Sequence, residues 1–347
     1  MGMKKTTSMA GSSTKVLSDR SIHTVERSIQ AALDFLYRSQ LAHGEFRTFA
    51  SEHESMEGDS VFDSSPFVTS FVIYSLGFLQ EARVDEMTAR GLDFLQAEMD
   101  GRGVWRYWSS HNESHRVLPP DLDDTACISF VLKQHGRMPD NRQILLSNRD
   151  PEGRFHTWLA PRAQMAPALK NEIRRLSRAD VLPFFSSSGT LDNIDPGVNA
   201  NVVLYLGKCD ETQGALAYLK RTVTEGQLPA TSYYADLLAF YYLVSRAYQN
   251  GVETLQDTRS TVLQALSARK RKDGSFGNEL LTALAICTCL NFHGPREELA
   301  EPVDWLVHAQ DPSGWWRRHP MWLGPAPYYG SEELTTALCI EALGRYI

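Results

Sequence analysis

A two-helix pattern recurs along the chain and restricts the fold more than any other feature. An amphipathic helix ends, a turn holding a glycine and usually an aromatic follows, a polar linker comes next, and then a more apolar helix begins. LDFLYRSQLAHGEF leads to SSPFVTSFVIYSLGFL, and LDFLQAEMDGRGVWRYW to PPDLDDTACISFVL. ILLSNRDPEGRFHTW leads, after a long insertion, to DPGVNANVVLYLG, and LAYLKRTVTEGQL to TSYYADLLAFYYLV. LQALSARKRKDGSF leads to NELLTALAICTCL, and VDWLVHAQDPSGWW to GSEELTTALCIEAL. The spacing is irregular, on the order of 40–70 residues.

The first helix of each pair carries charge on one face, as in ARKRKDG, and suits an outer layer. The second is apolar nearly all round and suits an inner layer. Gly44, Gly103, Gly153, Gly226, Gly274 and Gly314 mark the turns where a helix stops. A hairpin of this kind cannot bury its apolar face alone. The expected fold is therefore all-α, a single α/α (α6-α6) barrel of about six helical hairpins; an open solenoid is the alternative. The terminal pairs are as apolar as the middle ones and carry no polar capping repeat, which favours closure. In such a ring every inner helix starts at the same end, so their N-termini surround one mouth.

Composition narrows the function. The 347 residues are 42% hydrophobic and 22% charged, enough for a sizeable core. The net charge of -7 makes nucleic acid an unsuitable partner. Cys127, Cys209, Cys287, Cys289 and Cys339 lie in apolar helical segments without a CxxC pair, so they read as small core residues in a reducing compartment. No apolar run reaches transmembrane length. The opening MGMKKTTSMAGSSTK has no hydrophobic stretch after its lysines; residues 1–20 read as a flexible tail, although Gly2 formally permits myristoylation. The barrel is expected over residues 21–347, in the cytoplasm, with peripheral membrane contact as an option.

DLDDTA crowds Asp121, Asp123 and Asp124 at the start of an inner helix. Helix capping explains two of them: Asp121 follows Pro120 as an N-cap, and Asp124 sits where it can reach back in a capping box. Asp123 is left without a structural task. DLDDTA resembles the D-x-D-D-T-A signature of class II terpene cyclases, the squalene–hopene and diterpene cyclase group, and turns such as QDPSGWW resemble the repeat motif of that superfamily. The resemblance runs from about residue 21 to the end. With room for only one barrel domain, the chain resembles the single-domain bacterial meroterpenoid cyclases.

That resemblance implies a fold, a reaction and a site. In the family the middle aspartate of the motif is the proton donor, here Asp123, with Asp121 and Asp124 as its tuners. Class II cyclases protonate an alkene or epoxide of a polyprenyl chain and leave any diphosphate in place, so no metal or cofactor is expected. A free aspartic acid ionises near 3.9; keeping its proton at pH 7 takes about 3 units, or roughly 4 kcal/mol. Burial and a neighbouring carboxylate both act in that direction. Family members use a His or Asn partner for the acid. DPGVNANVVLYL repeats the layout of DLDDTACISFVL, which brings forward Asn199 and Asn201 on a neighbouring inner helix. Asn199 reads equally as a helix-start residue. Tyr234, at the corresponding point of the next pair, is a third candidate.

A carbocation needs shielding from water, and aromatic faces supply it at about 0.5–2 kcal/mol per contact when desolvated. Among the aromatics of the connectors, Trp108, Tyr234, Trp322 and Tyr328 are the candidates for the pocket, while Trp105 and Trp315 read as structural. Phe184 and Phe185 lie in the insertion, residues 159–194, which breaks the repeat rhythm. Its stripe of Leu169, Ile173 and Leu176, flanked by Lys170, Arg174, Arg175 and Arg178, reads first as a surface helix. Lid, membrane-surface helix and anion site are the other readings, the last with Arg174 or Arg175 holding the carboxylate of a prenylated aromatic acid. The expected partner is a hydrophobic polyprenyl small molecule, with no obligate protein partner. Two rival functions remain open: a metal-dependent prenyl-transfer enzyme, and a non-catalytic toroid that binds a hydrophobic ligand or a protein.

Overall fold

Every second long helix is buried almost end to end. The computed structural model describes residues 19–177, 190–323 and 327–347. In chain order, α1 (Asp19–Ser39) precedes α2 (Pro66–Leu76), and α3 (Ala82–Ala97) precedes α4 (Leu122–Gln134). Then come α5 (Arg142–Ser147), α6 (Pro167–Leu176) and α7 (Pro196–Leu206), followed by α8 (Gln213–Glu225) and α9 (Leu237–Gln249). The last pairs are α10 (Arg259–Arg269) with α11 (Glu279–Asn291), and α12 (Ala300–Ala309) with α13 (Glu332–Tyr346). All of α2 is buried, and α7 is buried up to Tyr205.

The inner helices α2, α4, α7, α9, α11 and α13 pack each on the next, and α13 packs back on α2. The ring is closed. All of α2 and most of α13 are buried, which the terminal inner helices of an open arc would not be.

Pairing differs from the sequence expectation in one respect. The Gly-aromatic turn links an outer helix to the following inner one, yet α3, α8 and α12 pack chiefly on the inner helix that precedes them. The hairpins are thus offset by one helix. α1 has no predecessor and packs on α13, which joins the two ends of the chain.

All six inner helices begin at the same end with a capping side chain: Ser65, Asp121, Asp195, Asp236, Asn278 and Ser331. Each cap accepts from a backbone N–H of the first turn, which satisfies a donor the helix cannot. The turn aromatics are tied to the same helices. The backbone N–H groups of Phe46, Trp105, Phe155, Phe276 and Trp316 donate to the side chains of Thr69, Thr125, Asn199, Thr282 and Thr336 at 2.8–3.1 Å. Trp105 is sealed, its indole donating to the Leu95 carbonyl at 2.7 Å. In the last turn the equivalent residue is Trp316, donating to Leu306 at 2.8 Å; Trp315, the residue expected there, is only half-buried.

A small antiparallel sheet lies at the mouth. Its strands are β1 (Phe49–Ser51), β2 (Val61–Phe62), β3 (Trp322–Leu323) and β4 (Tyr328–Gly330), in the order β2-β1-β4-β3. The sheet joins the connector before α2 to the connector before α13, so it crosses the ring seam. A bridge between Tyr234 and Trp322 extends it to the connector before α9.

In the insertion, α6 lays Ile173, with Leu169 and Leu176, against the main core. The Arg106 guanidinium bonds the carbonyls of Leu118 and Leu176 and fastens the end of this helix to the wall. Arg174 and Arg175 are exposed, so the surface-helix reading describes α6. Arg178, Phe184, Phe185 and the first eighteen residues lie outside the described residues. The five cysteines are free thiols. Among the described residues no helix is long and apolar enough to cross a membrane.

Candidate active site

Two of the clustered aspartates complete the start of α4. Asp121 Oδ1 accepts from the Asp124 N–H at 2.8 Å. The capping box does not form, because the Asp121 N–H is taken by the Trp105 carbonyl at 3.2 Å. Asp124 turns instead towards the Asp121 carboxyl. Both carboxyls are 3% exposed, and Asp121 Oδ2 and Asp124 Oδ1 have no other donor. A proton on the Asp124 carboxyl gives the two side chains a hydrogen bond that two carboxylates would lack. Burial first, then the Asp121 charge, pushes the Asp124 carboxyl far above the usual carboxylate range. The shift favours a protonated Asp124 beside Asp121.

Asp123 stands apart from that pair. Its Oδ1 accepts from Asn201 Nδ2 at 2.7 Å and its Oδ2 from the Tyr234 hydroxyl at 2.8 Å. Asn201 Nδ2 also reaches the Tyr234 oxygen at 3.0 Å. Burial pushes the Asp123 carboxyl up to about 7, aided by the Asp121 and Asp195 charges and opposed by the Asn201 and Tyr234 hydrogen bonds. The side chain is deep in the protein yet retains accessible surface. It is neither bathed in bulk solvent nor sealed in packed protein.

The partners are positioned by neighbouring repeats. Asp195, the cap of α7, accepts from the Gly197 and Val198 N–H groups with one oxygen and from the Tyr233 N–H with the other, at 2.8 Å. The second contact holds the 233–234 backbone over the start of α7. A Cβ at Gly197 would lie 2.2 Å from the Tyr234 ring, so only glycine lets the phenol through to Asp123. Asn199 is fully buried, and its amide bonds the Phe155 N–H, the Phe155 carbonyl and the Asp195 carbonyl. It fixes the turn as Thr125 does in the repeat before, in place of the substrate contact expected for it. Asn201, two residues on, presents its amide to the acid.

A buried polar network continues from Asn201. Arg246, 2% exposed on α9, donates to Asn201 Oδ1 at 2.7 Å. Deeper, Glu341 accepts from Ser75 and Tyr242 at 2.9 Å and from Arg345 at 3.0 Å. Arg345 reaches Asn291 at 2.7 Å. Arg246, Ser75, Glu341, Arg345 and Asn291 come from the C-terminal halves of the inner helices, away from the mouth.

Aromatic side chains cluster in the connectors at the mouth. Trp322 is 5% exposed, meets the Phe67 ring edge-on at 5.0 Å and donates to the Tyr107 hydroxyl at 3.2 Å. Tyr107, deep but still accessible, packs on the Tyr329 ring at 5.2 Å. Alternation along β4 turns Tyr328 to the opposite sheet face from Tyr329, so Tyr329 occupies the place expected for Tyr328. Trp108 is held by Asp63, its indole donating to both carboxylate oxygens at 3.0 Å. Trp158 and Tyr233 form a further wall, joined by a 3.0 Å hydrogen bond. Sequence reasoning counted Tyr107 and Tyr329 among the connector aromatics without choosing them for the pocket, and it did not single out Arg246. For Arg246 the signal was present: a lone arginine inside the apolar run LAFYYLVSRAY of an inner helix.

No protein-family model and no curated protein matches the sequence. Solved structures do. A protein from Actinoplanes superposes with a TM-score of 0.70 at 18% identity, covering 93% of this chain and 99% of that one. The type II terpene cyclase MstE from Scytonema superposes at 0.69 and 18% identity, covering 93% of this chain and 98% of that one. An MstE variant in complex with geranylgeranyl dihydroxybenzoate, its substrate, gives 0.68 at 18% identity over 94% of this chain and 98% of that one. Across nearly its whole length, this chain has the fold of a type II terpene cyclase.

Proposed function

We propose that the protein is a class II terpene cyclase in which Asp123 is the proton donor. The observation that carries this reading is the Asp123 carboxyl itself: deep in the fold yet still partly accessible, held by two donors and pushed up to about 7. A carboxyl near 7 still holds its proton in about half of the molecules at neutral pH, where a free one near 3.9 holds it in roughly one in a thousand. Asp123 delivers that proton to the terminal alkene, or epoxide, of a polyprenyl chain. Asn201 and Tyr234 then stabilise the carboxylate left behind. The cation passes along the chain under the aromatic faces of Tyr107, Trp322 and Tyr329, and a proton leaves at the end. One proton enters and one departs, so product and substrate have the same mass: an isomerisation of the intramolecular lyase type, with no diphosphate lost. The fold shared with MstE supports a prenylated aromatic acid as the substrate class. The exposed Arg174 and Arg175 are given no part in it.

Incubating the wild type and Asp123→Asn with prenylated aromatic acids in EDTA tests the reading. The wild type is expected to form cyclic isomers of unchanged mass, and the variant to form none. Products only on adding a divalent metal would replace this mechanism with metal-dependent chemistry. No product from any polyprenyl compound would leave the barrel as a binding protein.

A further inference from the structure

Arg246 is a buried cation without an ion pair. Among the described residues no carboxylate lies within the 4.0 Å ion-pair limit of its guanidinium, and its Nε has no hydrogen-bond partner. Its charge rests on the rings of Phe71, Tyr74 and Tyr242, at 4.5, 5.0 and 5.8 Å. Nη2 donates to Cys127 Sγ at 3.3 Å and to Asn201 Oδ1 at 2.7 Å. A buried charge in such a setting is costly, and packing alone would be served as well by an apolar side chain.

The hydrogen-bond chemistry of the neighbours gives it a task. An asparagine amide can face a carboxyl group with either end, donating through Nδ2 or accepting through Oδ1. These have opposite effects. A donor stabilises the carboxylate and strengthens the acid; an acceptor would hold the proton of the neutral form and weaken it. Arginine has donors only. With Arg246 against one end of the amide, that end must be Oδ1, and Nδ2 must face Asp123. We propose that Arg246 is a positioning residue for the acid: it locks the Asn201 amide in the orientation that donates to Asp123, and so favours release of the proton. The proposal rests on Asp123 as the donor and adds what sets its strength.

The other groups around this relay act at other points of it. From α4, Asp121 acts on Asp123 as a negative charge beside a protonated Asp124, and Cys127 is a thiol held well above its usual range by burial. From the start of α7, Asp195 adds a further negative charge. Tyr234 donates to the other carboxyl oxygen and accepts from Asn201 Nδ2 at 3.0 Å, supporting the same amide orientation from the near end, and Tyr74 and Tyr242 are neutral phenols on the Arg246 side. Among these, only Arg246 contacts the far end of the Asn201 amide.

The test reads the acid directly, without substrate. Infrared difference spectra of the carboxyl stretch, with Asp123→Asn as reference, give the Asp123 titration in the resting protein. Arg246→Met is expected to raise its midpoint by about one pH unit, as freeing the amide to turn removes a donor from the carboxylate. Asn201→Ala should raise it similarly, and the double variant no further than the larger single effect. Arg246→Lys, still donor-only, should restore most of the shift. Should the methionine variant fail to fold, Arg246→Gln, a neutral amide that can face Asn201 either way round, carries the same expectation. An unchanged midpoint in Arg246→Met, or shifts that add in the double variant, would overturn the relay. Failure of the wild type to cyclise any substrate overturns the proposed reaction instead and leaves this titration readable.

Discussion

The phenol of Tyr234 and the carboxyl of Asp123, 111 positions apart in the chain, meet in a 2.8 Å hydrogen bond in which tyrosine is the donor. Burial holds the proton on Asp123, and this bond opposes it by favouring the anion. Tyr234→Phe removes the opposition and nothing else from the ring. The Asp123 midpoint is therefore expected to rise above 7. Activity that depends on the protonated acid falls as pH rises through that midpoint, so the alkaline limb of the pH–kcat profile should move upward in the variant. The plateau at low pH should drop about 10- to 100-fold, because a hydrogen bond to a charged group contributes about 1.5–3 kcal/mol. A plateau unchanged with the limb in place would remove Tyr234 from the mechanism.

The same carboxyl makes stability depend on pH in an unusual direction. Its folded value, about 7, lies above its unfolded value, near 3.9. The folded protein thus binds the proton more tightly, and the associated stability is fully present below pH 3.9 and lost as pH rises through 7. Asp123→Asn has no such charge to bury. Urea unfolding should find the two proteins similar near pH 4 and the variant more stable at pH 8, by up to about 4 kcal/mol. Glu333, also shifted upward by burial, remains in both proteins and cancels, while Asp124 loses only the part of its shift that the Asp123 charge contributes. A variant that is inactive but more stable at alkaline pH is what a strained acid predicts.

Asn199 and Asn201 sit two positions apart on α7 and should separate stability from turnover. Asn199→Ala strips partners from the Phe155 backbone and is expected to cost about 3 kcal/mol, since buried polar groups left unpaired lose roughly 1–3 kcal/mol each. Its kcat, measured per folded molecule, should stay within a few-fold of the wild type. Asn201→Ala should lower kcat by about 10- to 100-fold through the loss of a donor to Asp123, with KM little changed. The opposite pattern would exchange the two roles.

The repeat grammar carried most of the fold, because helix period, turn glycines and capping residues are local in sequence. Ring closure could be argued from the apolar terminal pairs, but the offset of each hairpin by one helix could not, since it depends on which groove an outer helix fills. At the site, Asp123 stood out because helix capping explained its two neighbours and left it over. Its partners were harder to read. Asn199 and Asn201 are alike as letters, and only the turn of the helix sends one to the Phe155 backbone and the other to the acid. Tyr328 and Tyr329 pose the same problem on a strand, where one position reverses the face. Trp315 and Trp316 differ likewise by a single step in the turn. In each case the residue type and neighbourhood were legible and the direction of the side chain was not.

Ring closure has its own test at Gly314. The last repeat's turn meets α1 there: a Cβ on Gly314 would lie 2.1 Å from the carbonyl oxygen of Ala31, and φ is +97°. Gly226 ends α8 in the same left-handed sense, with φ +67°, but nothing lies within 4 Å of its added Cβ. Gly226→Ala should therefore cost only the backbone term, about 1–2 kcal/mol. Gly314→Ala adds overpacking against a backbone that cannot swing away, a further 1–3 kcal/mol or so, and should lower the urea midpoint clearly more than Gly226→Ala does. Because α1 contacts α13 across this seam, hydrogen exchange should show the loosening in both helices, although they are the first and last in the chain. Equal costs for the two glycines, or loosening confined to the turn, would mean that the first and last repeats are not held together there.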